Sequence, residues 1–184
     1  MAAPSSGPDS GQHSQQYSAQ TLDKAIKAYD IRGVVGEEIT EGFVRDVGAA
    51  FAQILRAEGE TRIAIGYDMR PSSPGLAAAF AQGANSQGIS VIELGLTSTD
   101  ELYFVAGTEQ CAGAMFTASH NPAQYNGIKL CRAGATPVST TTGLAEIRSL
   151  LENGVVGYDG VAGGVEKRDV LDAYAAFLLS LIHI

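Results

Sequence analysis

The sequence predicts an α/β fold: a three-layer α/β/α domain built on a mixed, mostly parallel four-stranded sheet. Three observations carry that prediction. Short apolar runs of strand length alternate with amphipathic runs of helix length, as when helices cover both faces of a largely parallel sheet. Glycine, proline, serine and asparagine stand between them as caps and turn residues. The composition, 45% apolar with 22 glycines in 184 residues, is that of a globular α/β protein with room for one domain and the start of another.

Residues 1–22 stand apart in composition. MAAPSSGPDSGQHSQQYSAQ is rich in Ser, Gln, Gly and Pro and has no apolar centre. It is expected to be a disordered leader rather than a signal peptide or a stable element. The domain proper is expected over 23–160. EGFVRDVGAAFAQILRA (41–57) puts Phe43, Val44, Val47, Ala50, Phe51, Ile54 and Leu55 on one helical face, with Thr40 as N-cap and Glu41 in the first turn. RIAIGY (62–67) is a short buried strand. SSPGLAAAFAQGANSQG (72–88) is a helix opened by Ser and Pro and closed by Gly88. SVIEL (90–94) is the second strand, and TDELYFVAG (99–107) a short helix with Thr99 as cap and Gly107 as stop. GAMFTAS (113–119) runs from a third strand into a turn, and GIKLCR (127–132) is the fourth. About eight residues join these two, too few for a parallel crossover, so they are expected to pair antiparallel. TTGLAEIRSLLENG (141–154) is a helix ended by Gly154.

The glycine-rich GVVGYDGVAGGVEK (154–167) reads as an interdomain linker, and 161–184 as linker plus the truncated start of a second domain. VLDAYAAFLLSLIHI is apolar but falls short of the roughly 18–20 residues a membrane span needs, and Asp172 lies inside it. A buried helix cut off mid-run is the expectation. Its last six residues, LSLIHI, are also the translation of the end of a common transposon-type sequencing adaptor, so they are expected to be non-native.

A net charge of −8 excludes a broad nucleic-acid or anionic-membrane surface, both of which need basic stripes. An anionic small molecule would have to be met by a few converging cations. Cys111 and Cys131 form no CxxC pair and have no nearby pair of histidines; two buried thiols in a reducing cytoplasm are expected rather than zinc or a disulfide.

Polar function in such sheets collects in loops at the carboxyl ends of strands. Four qualify: KAYDIRG (27–33), GYDMRPSSP (66–74), GLTSTDE (95–101) and TASHNPAQYNGIK (117–129). In the last, Pro122 biases Asn121 away from the helical region and Asn126-Gly127 marks a turn, so Ser119 is pinned from both sides. A serine hydrolase needs a GxSxG elbow and a base. Here Ala118 and His120 flank the serine, His120 cannot bend back onto its own neighbour, and His13 and His183 lie in the leader and the tail. A serine that carries a phosphoryl group needs cations and backbone N–H groups instead. His120, Lys129, Arg32 and Arg70, drawn from three of these loops, form such a set.

TASHNPAQYNGIK resembles the phosphoserine loop of the α-D-phosphohexomutases, the phosphomannomutase/phosphoglucomutase group. KAYDIRG resembles that family's N-terminal motif, with GYDMRPSSP and GLTSTDELYF in order between them. The likeness runs from about Ile26 to Lys129. It implies that Ser119 is phosphorylated in the resting enzyme and passes its phosphoryl group to a hexose phosphate through a bisphosphorylated sugar. It implies Mg²⁺ as cofactor with Ser119 as one ligand, and hexose 1,6-bisphosphate as activator. Lys129 matches a lysine of proton-transfer or electrostatic function, and His120 the histidine beside the serine. Tyr29 and Arg32 match residues that close over phosphate and sugar, and Arg70 a loop arginine that supports the phosphoserine and borders the substrate.

The substrates implied are small hexose phosphates, mannose phosphate first and glucose phosphate second, in the cytoplasm. A non-catalytic phosphosugar-binding relative and a phosphoglucosamine mutase are the alternatives. The family has four domains, of which this chain supplies the first. The aspartate-rich metal loop, the sugar-discriminating loop and the distal phosphate loop are missing, so the chain alone is expected to be inactive.

Overall fold

A computed structural model describes residues 15–182. Residues 1–14, most of the expected leader, and 183–184 of the suspected adaptor-derived tail lie outside the described residues. The elements run α1 (Ala19–Ala25), β1 (Ile31–Val34), α2 (Glu41–Ala57), β2 (Arg62–Tyr67), α3 (Ser73–Ser86), β3 (Ser90–Leu96), α4 (Thr99–Thr108), β4 (Ala112–Phe116), β5 (Tyr125–Arg132), β6 (Thr136–Pro137), α5 (Leu144–Asn153), β7 (Val165–Lys167) and α6 (Leu171–Ser180).

The predicted α/β/α layering holds, on a larger sheet than expected. Among the described residues the sheet has seven strands rather than four, ordered β1-β5-β4-β2-β3-β7 with β6 on β5. It is mixed in equal measure: β2–β3, β2–β4 and β3–β7 pair parallel, whereas β1–β5, β4–β5 and β5–β6 pair antiparallel. The antiparallel β4–β5 connection follows from its short loop, as the sequence predicts. Three further strands come from segments where no strand was expected: besides β6, the short Thr136–Pro137 pair on β5, there are two in expected loop or linker. β1 is the IRGV of the N-terminal motif, and β7 lies in the glycine-rich stretch, where Val91 faces Val165 and Glu93 faces Lys167. Four- and three-residue strands are too short to show a period.

Strand alternation sends Ile63, Ile65, Val91, Ala114, Phe116, Ile128 and Leu130 to one face, where α1, α2, α3 and α5 complete the main core. Ala64, Ile92 and Met115 point to the other face, against Leu102 and Val105 of α4. Helix α2 is capped as predicted, with Thr40 Oγ1 accepting from Phe43 N at 3.2 Å. It crosses α3 backbone to backbone: a Cβ at Gly83 would lie 1.9 Å from the Arg45 carbonyl oxygen, and one at Gly48 would lie 2.3 Å from that of Phe80. Only glycine permits that approach. The cap of α4 is Ser98, not Thr99, because Ser98 holds the extended conformation and its Oγ accepts from Glu101 N at 3.1 Å.

The two ends of the described chain depart from expectation in opposite directions. Part of the expected leader is structured. Ser18 caps α1, Leu22 is fully buried, and the Tyr17 hydroxyl donates to Asp46 Oδ2 at 2.8 Å while its ring packs edge-on against Phe43. Two large apolar side chains suffice to pin a segment whose average composition is that of a tail. Helix α6, expected to be buried, has no buried residue; Leu171 is 61% and Leu179 67% exposed. It meets the domain through Phe104, which packs on Tyr174 and Phe177. Among the described residues no helix is long and apolar enough to cross a membrane.

Candidate active site

β2, β3 and β4 are parallel, so their carboxyl ends share one edge of the sheet, and antiparallel β5 starts there. The connection from β4 to β5 carries Ser119. Its backbone is tied at several points. Thr117 N donates to the Gly127 carbonyl at 3.0 Å, and Ser119 N donates to Thr117 Oγ1 at 3.0 Å. Asn121 sends both its backbone N and its Nδ2 to the Ala118 carbonyl, at 3.0 and 2.8 Å, and Val35 N reaches the Gln124 carbonyl at 2.8 Å. Ser119 itself is left-handed, φ +53°. That conformation costs a non-glycine residue roughly 1–2 kcal/mol, and it persists where the surroundings over-determine it. The side chain is exposed, and its Oγ makes no hydrogen bond to any described residue.

Arg70 is what over-determines the loop. Its Nη2 donates to the carbonyls of Ser119 (2.9 Å) and Asn121 (2.7 Å), and its Nη1 to those of Pro122 (2.9 Å) and Tyr125 (3.1 Å). Its Nε donates to Asp68 Oδ2 at 3.2 Å. A guanidinium has five N–H donors, and all five are engaged. Arg70 is therefore a brace under the serine, with every N–H donor engaged by protein.

The brace is anchored in turn. Asp68 Oδ1 accepts from Arg70 N (3.1 Å) and from Ser73 Oγ (2.7 Å). Fully buried Asn126 donates through Nδ2 to Ser73 Oγ (2.9 Å) and Ser72 Oγ (2.8 Å), and its Oδ1 accepts from Gly127 N. A closed polar network of this kind rigidifies what it holds.

The other cations gather on β1 and β5. Arg32 is on strand β1, opposite Gly127, rather than in a loop. A Cβ at Gly127 would meet the Ile31 carbonyl oxygen at 2.4 Å and Arg32 Cβ at 3.2 Å, so the glycine of YNGIK lets β1 close on β5. Lys129 stands on β5 opposite Met115. Asp30 lies between the two cations, its Oδ2 3.7 Å from Arg32 Nη2 and 3.9 Å from Lys129 Nζ. The structure thus brings Arg32 together with Lys129, and Arg70 together with the backbone of Ser119. Among the described residues His120 makes no hydrogen bond or ion pair and is exposed, and Tyr29 is 77% exposed. Beside Met115 on that face, both thiols are free and buried; burial pushes the Cys131 thiol up to about 12.

Asp30, Asp68, Ser73 and Asn126 do not stand out as site residues in the sequence. A signal for the two aspartates exists: YDIRG and YDMRP share an Asp-x-Arg pattern, which in extended backbone puts acid and base on one side. Asn126 reads as a turn residue because Asn-Gly usually is one. Among the described residues no three His, Cys, Asp or Glu side chains gather to hold a metal, so apart from Ser119 this part of the chain offers no ligand set for the expected Mg²⁺.

Residues 23–159 match the family model described as phosphoglucomutase/phosphomannomutase, alpha/beta/alpha domain I. A phosphomannomutase of Vibrio cholerae serotype O1 is 39% identical over 162 residues, which is 85% of this chain and 35% of that protein. One of Klebsiella pneumoniae is 42% identical over 130 residues, 69% of this chain and 80% of that protein. Among solved structures, a phosphoglucomutase/phosphomannomutase family protein from Burkholderia thailandensis superimposes with a TM-score of 0.78 at 27% identity, covering 90% of this chain and 37% of that one. The chain spans 35% of the length of the first curated relatives it matches. A braced serine loop on a sheet of this topology and matches of this extent lead to one conclusion: the chain belongs to the phosphoglucomutase/phosphomannomutase family, in which it corresponds to domain I.

Proposed function

We propose that this chain is the phosphoserine-bearing domain of a cytoplasmic mutase that interconverts hexose 6-phosphate and hexose 1-phosphate, with mannose as the hexose. The observation that carries the reading is Ser119: a hydroxyl with no hydrogen bond of its own, on a strained residue whose carbonyl is clamped from below by Arg70. A transferable phosphoryl group needs that combination of an exposed oxygen and a fixed backbone, because its transfer is mostly positioning and charge neutralisation. The name phosphomannomutase, carried by the Vibrio and Klebsiella relatives, supports mannose as the sugar.

In the proposed reaction the phosphorylated Ser119 Oγ is the leaving group. A free hydroxyl of the hexose phosphate attacks phosphorus, the Oγ–P bond breaks as the new O–P bond forms, and the hydroxyl proton ends on Ser119 Oγ, directly or by way of Lys129. In the return half Ser119 Oγ attacks the other phosphoryl group of the bisphosphorylated sugar, that O–P bond breaks, and the serine proton passes to the sugar oxygen set free. Lys129 supplies positive charge or takes the proton, Arg32 meets phosphate oxygens, His120 lies beside the transferring group, and Tyr29 closes over the sugar. Mg²⁺, when bound, would neutralise the transferring oxygens; Ser119 is the one ligand this chain offers. Hexose 1,6-bisphosphate would prime the serine.

The test is a coupled assay of the full-length mutase with hexose 1-phosphate and the bisphosphate activator, together with mass spectrometry of the Ser119 peptide. Phosphate on Ser119, and a rate that falls at least a thousandfold in Ser119→Ala, are expected. Full turnover by that variant would overturn the reading. The 184-residue chain alone is expected to show no turnover.

A further inference from the structure

We infer that Asp30 is a positioning residue for phosphoryl transfer, holding the heads of Arg32 and Lys129 side by side while leaving their N–H donors free for phosphate; this rests on the mutase reading above. The β1–β5 register pairs Ile31 with Ile128 and Arg32 with Gly127. Continued by one residue, it sets Asp30 opposite Lys129. The two-residue period of extended backbone puts Asp30 and Arg32 on the same side of β1, so one carboxylate faces a cation along its own strand and another across the ladder. Its Oδ2 is shared between them, at 3.7 Å from Arg32 Nη2 and 3.9 Å from Lys129 Nζ.

Exposure orders the group. The Asp30 side chain is 13% exposed, against 36% for Arg32 and 31% for Lys129, so the acid sits beneath and the cations face outward. Both separations exceed hydrogen-bond length. The attraction therefore restrains the two heads without occupying their donors, and neither makes a hydrogen bond to any described residue. Arg70 is the internal contrast, with every donor engaged by protein. Two cations held near each other and left unsatisfied match the need of a phosphate dianion, which supplies the missing acceptors. Asp30 has an opposing effect on binding, since its negative charge repels an arriving phosphate.

These two effects make a distinguishable prediction in the full-length mutase. Asp30→Asn keeps the shape and removes the charge. The turnover number should fall about tenfold because Arg32 and Lys129 are no longer held together, while KM for the sugar phosphate stays level or falls two- to fivefold because a like charge is gone. Asp30→Ser, smaller and also neutral, should show the same split. In a Lys129→Met background, where part of what Asp30 restrains is already missing, Asp30→Asn should cost clearly less than its tenfold. A residue of merely structural importance would instead lower turnover, raise KM and lower the melting temperature together. That outcome, unchanged kinetics in Asp30→Asn, or an undiminished tenfold loss on top of Lys129→Met would each overturn the inference. Failure of the mutase reading looks different: Ser119→Ala would then keep the full rate whatever Asp30 does.

Discussion

The Ser119 loop and helix α6 invert the usual association of regular backbone with rigidity. The loop, 117–124, is irregular and Ser119 has a strained φ, yet it is tied to Gly127 of β5, to Val35, to itself and to the guanidinium of Arg70. Helix α6 is regular, yet among the described residues its one aromatic support is Phe104, and its leucines stand in solvent. A helix of ten residues has marginal stability without tertiary packing. What fixes a segment is where its hydrogen bonds and apolar surface go.

The sharpest way to break that contrast is to remove the brace. Arg70→Met should cost about 3–5 kcal/mol in urea denaturation, because it strands Asp68 and four carbonyls. Arg70→Lys should recover less than half, since a point charge cannot fork to five acceptors. A loss below about 1 kcal/mol in Arg70→Met would mean that the loop is held by other means.

Alkaline titration probes the strand that carries the loop. Burial raises the Cys131 thiol from 9.0 to about 12, so the folded state holds its proton where the unfolded chain has lost it. Its contribution is full below pH 9 and is lost between pH 9 and 12. Stability should fall through that window by on the order of 1 kcal/mol per pH unit, and less steeply in Cys131→Ala. Equal slopes in the two proteins would show the thiol to be accessible.

Strain at the serine gives a smaller effect of opposite sign. Ser119→Gly relieves the left-handed conformation and Ser119→Ala does not, so the glycine variant should be the more stable of the two by about 1 kcal/mol, though neither can carry phosphate. Deleting 171–184 should matter least, changing the denaturation free energy by less than about 1 kcal/mol, since α6 buries no residue. The same deletion should reduce self-association in sedimentation velocity by removing an exposed apolar face.

Much of the domain was legible in the sequence because its signals are local. Helix α2 and strand β2 fall where the apolar periods of 41–57 and 62–67 place them. β1 and β7 were not legible, because strands this short are made by the partner they pair with, Ile128 for one and Val91 for the other. At the site, the serine and its cations stand out by residue type and motif. The supporting polar residues do not: Asn126 looks like a turn former, and only the fold shows its amide buried beneath α3. Which arginine spends its donors on protein and which keeps them free is likewise a matter of partners. Arg32 and Arg70 carry the same Asp-x-Arg signature and have opposite fates.

The pairing of β7 with β3 has a mechanical corollary. The glycine-rich run before it looks like a hinge, but the chain emerges from that run directly into the sheet, with Arg168 N still donating to the Glu93 carbonyl at 2.9 Å. Whatever is attached beyond this point inherits a heading fixed by the sheet. Any swivel of α6 against the sheet would have to turn downstream of Arg168, where mobility measurements should find it.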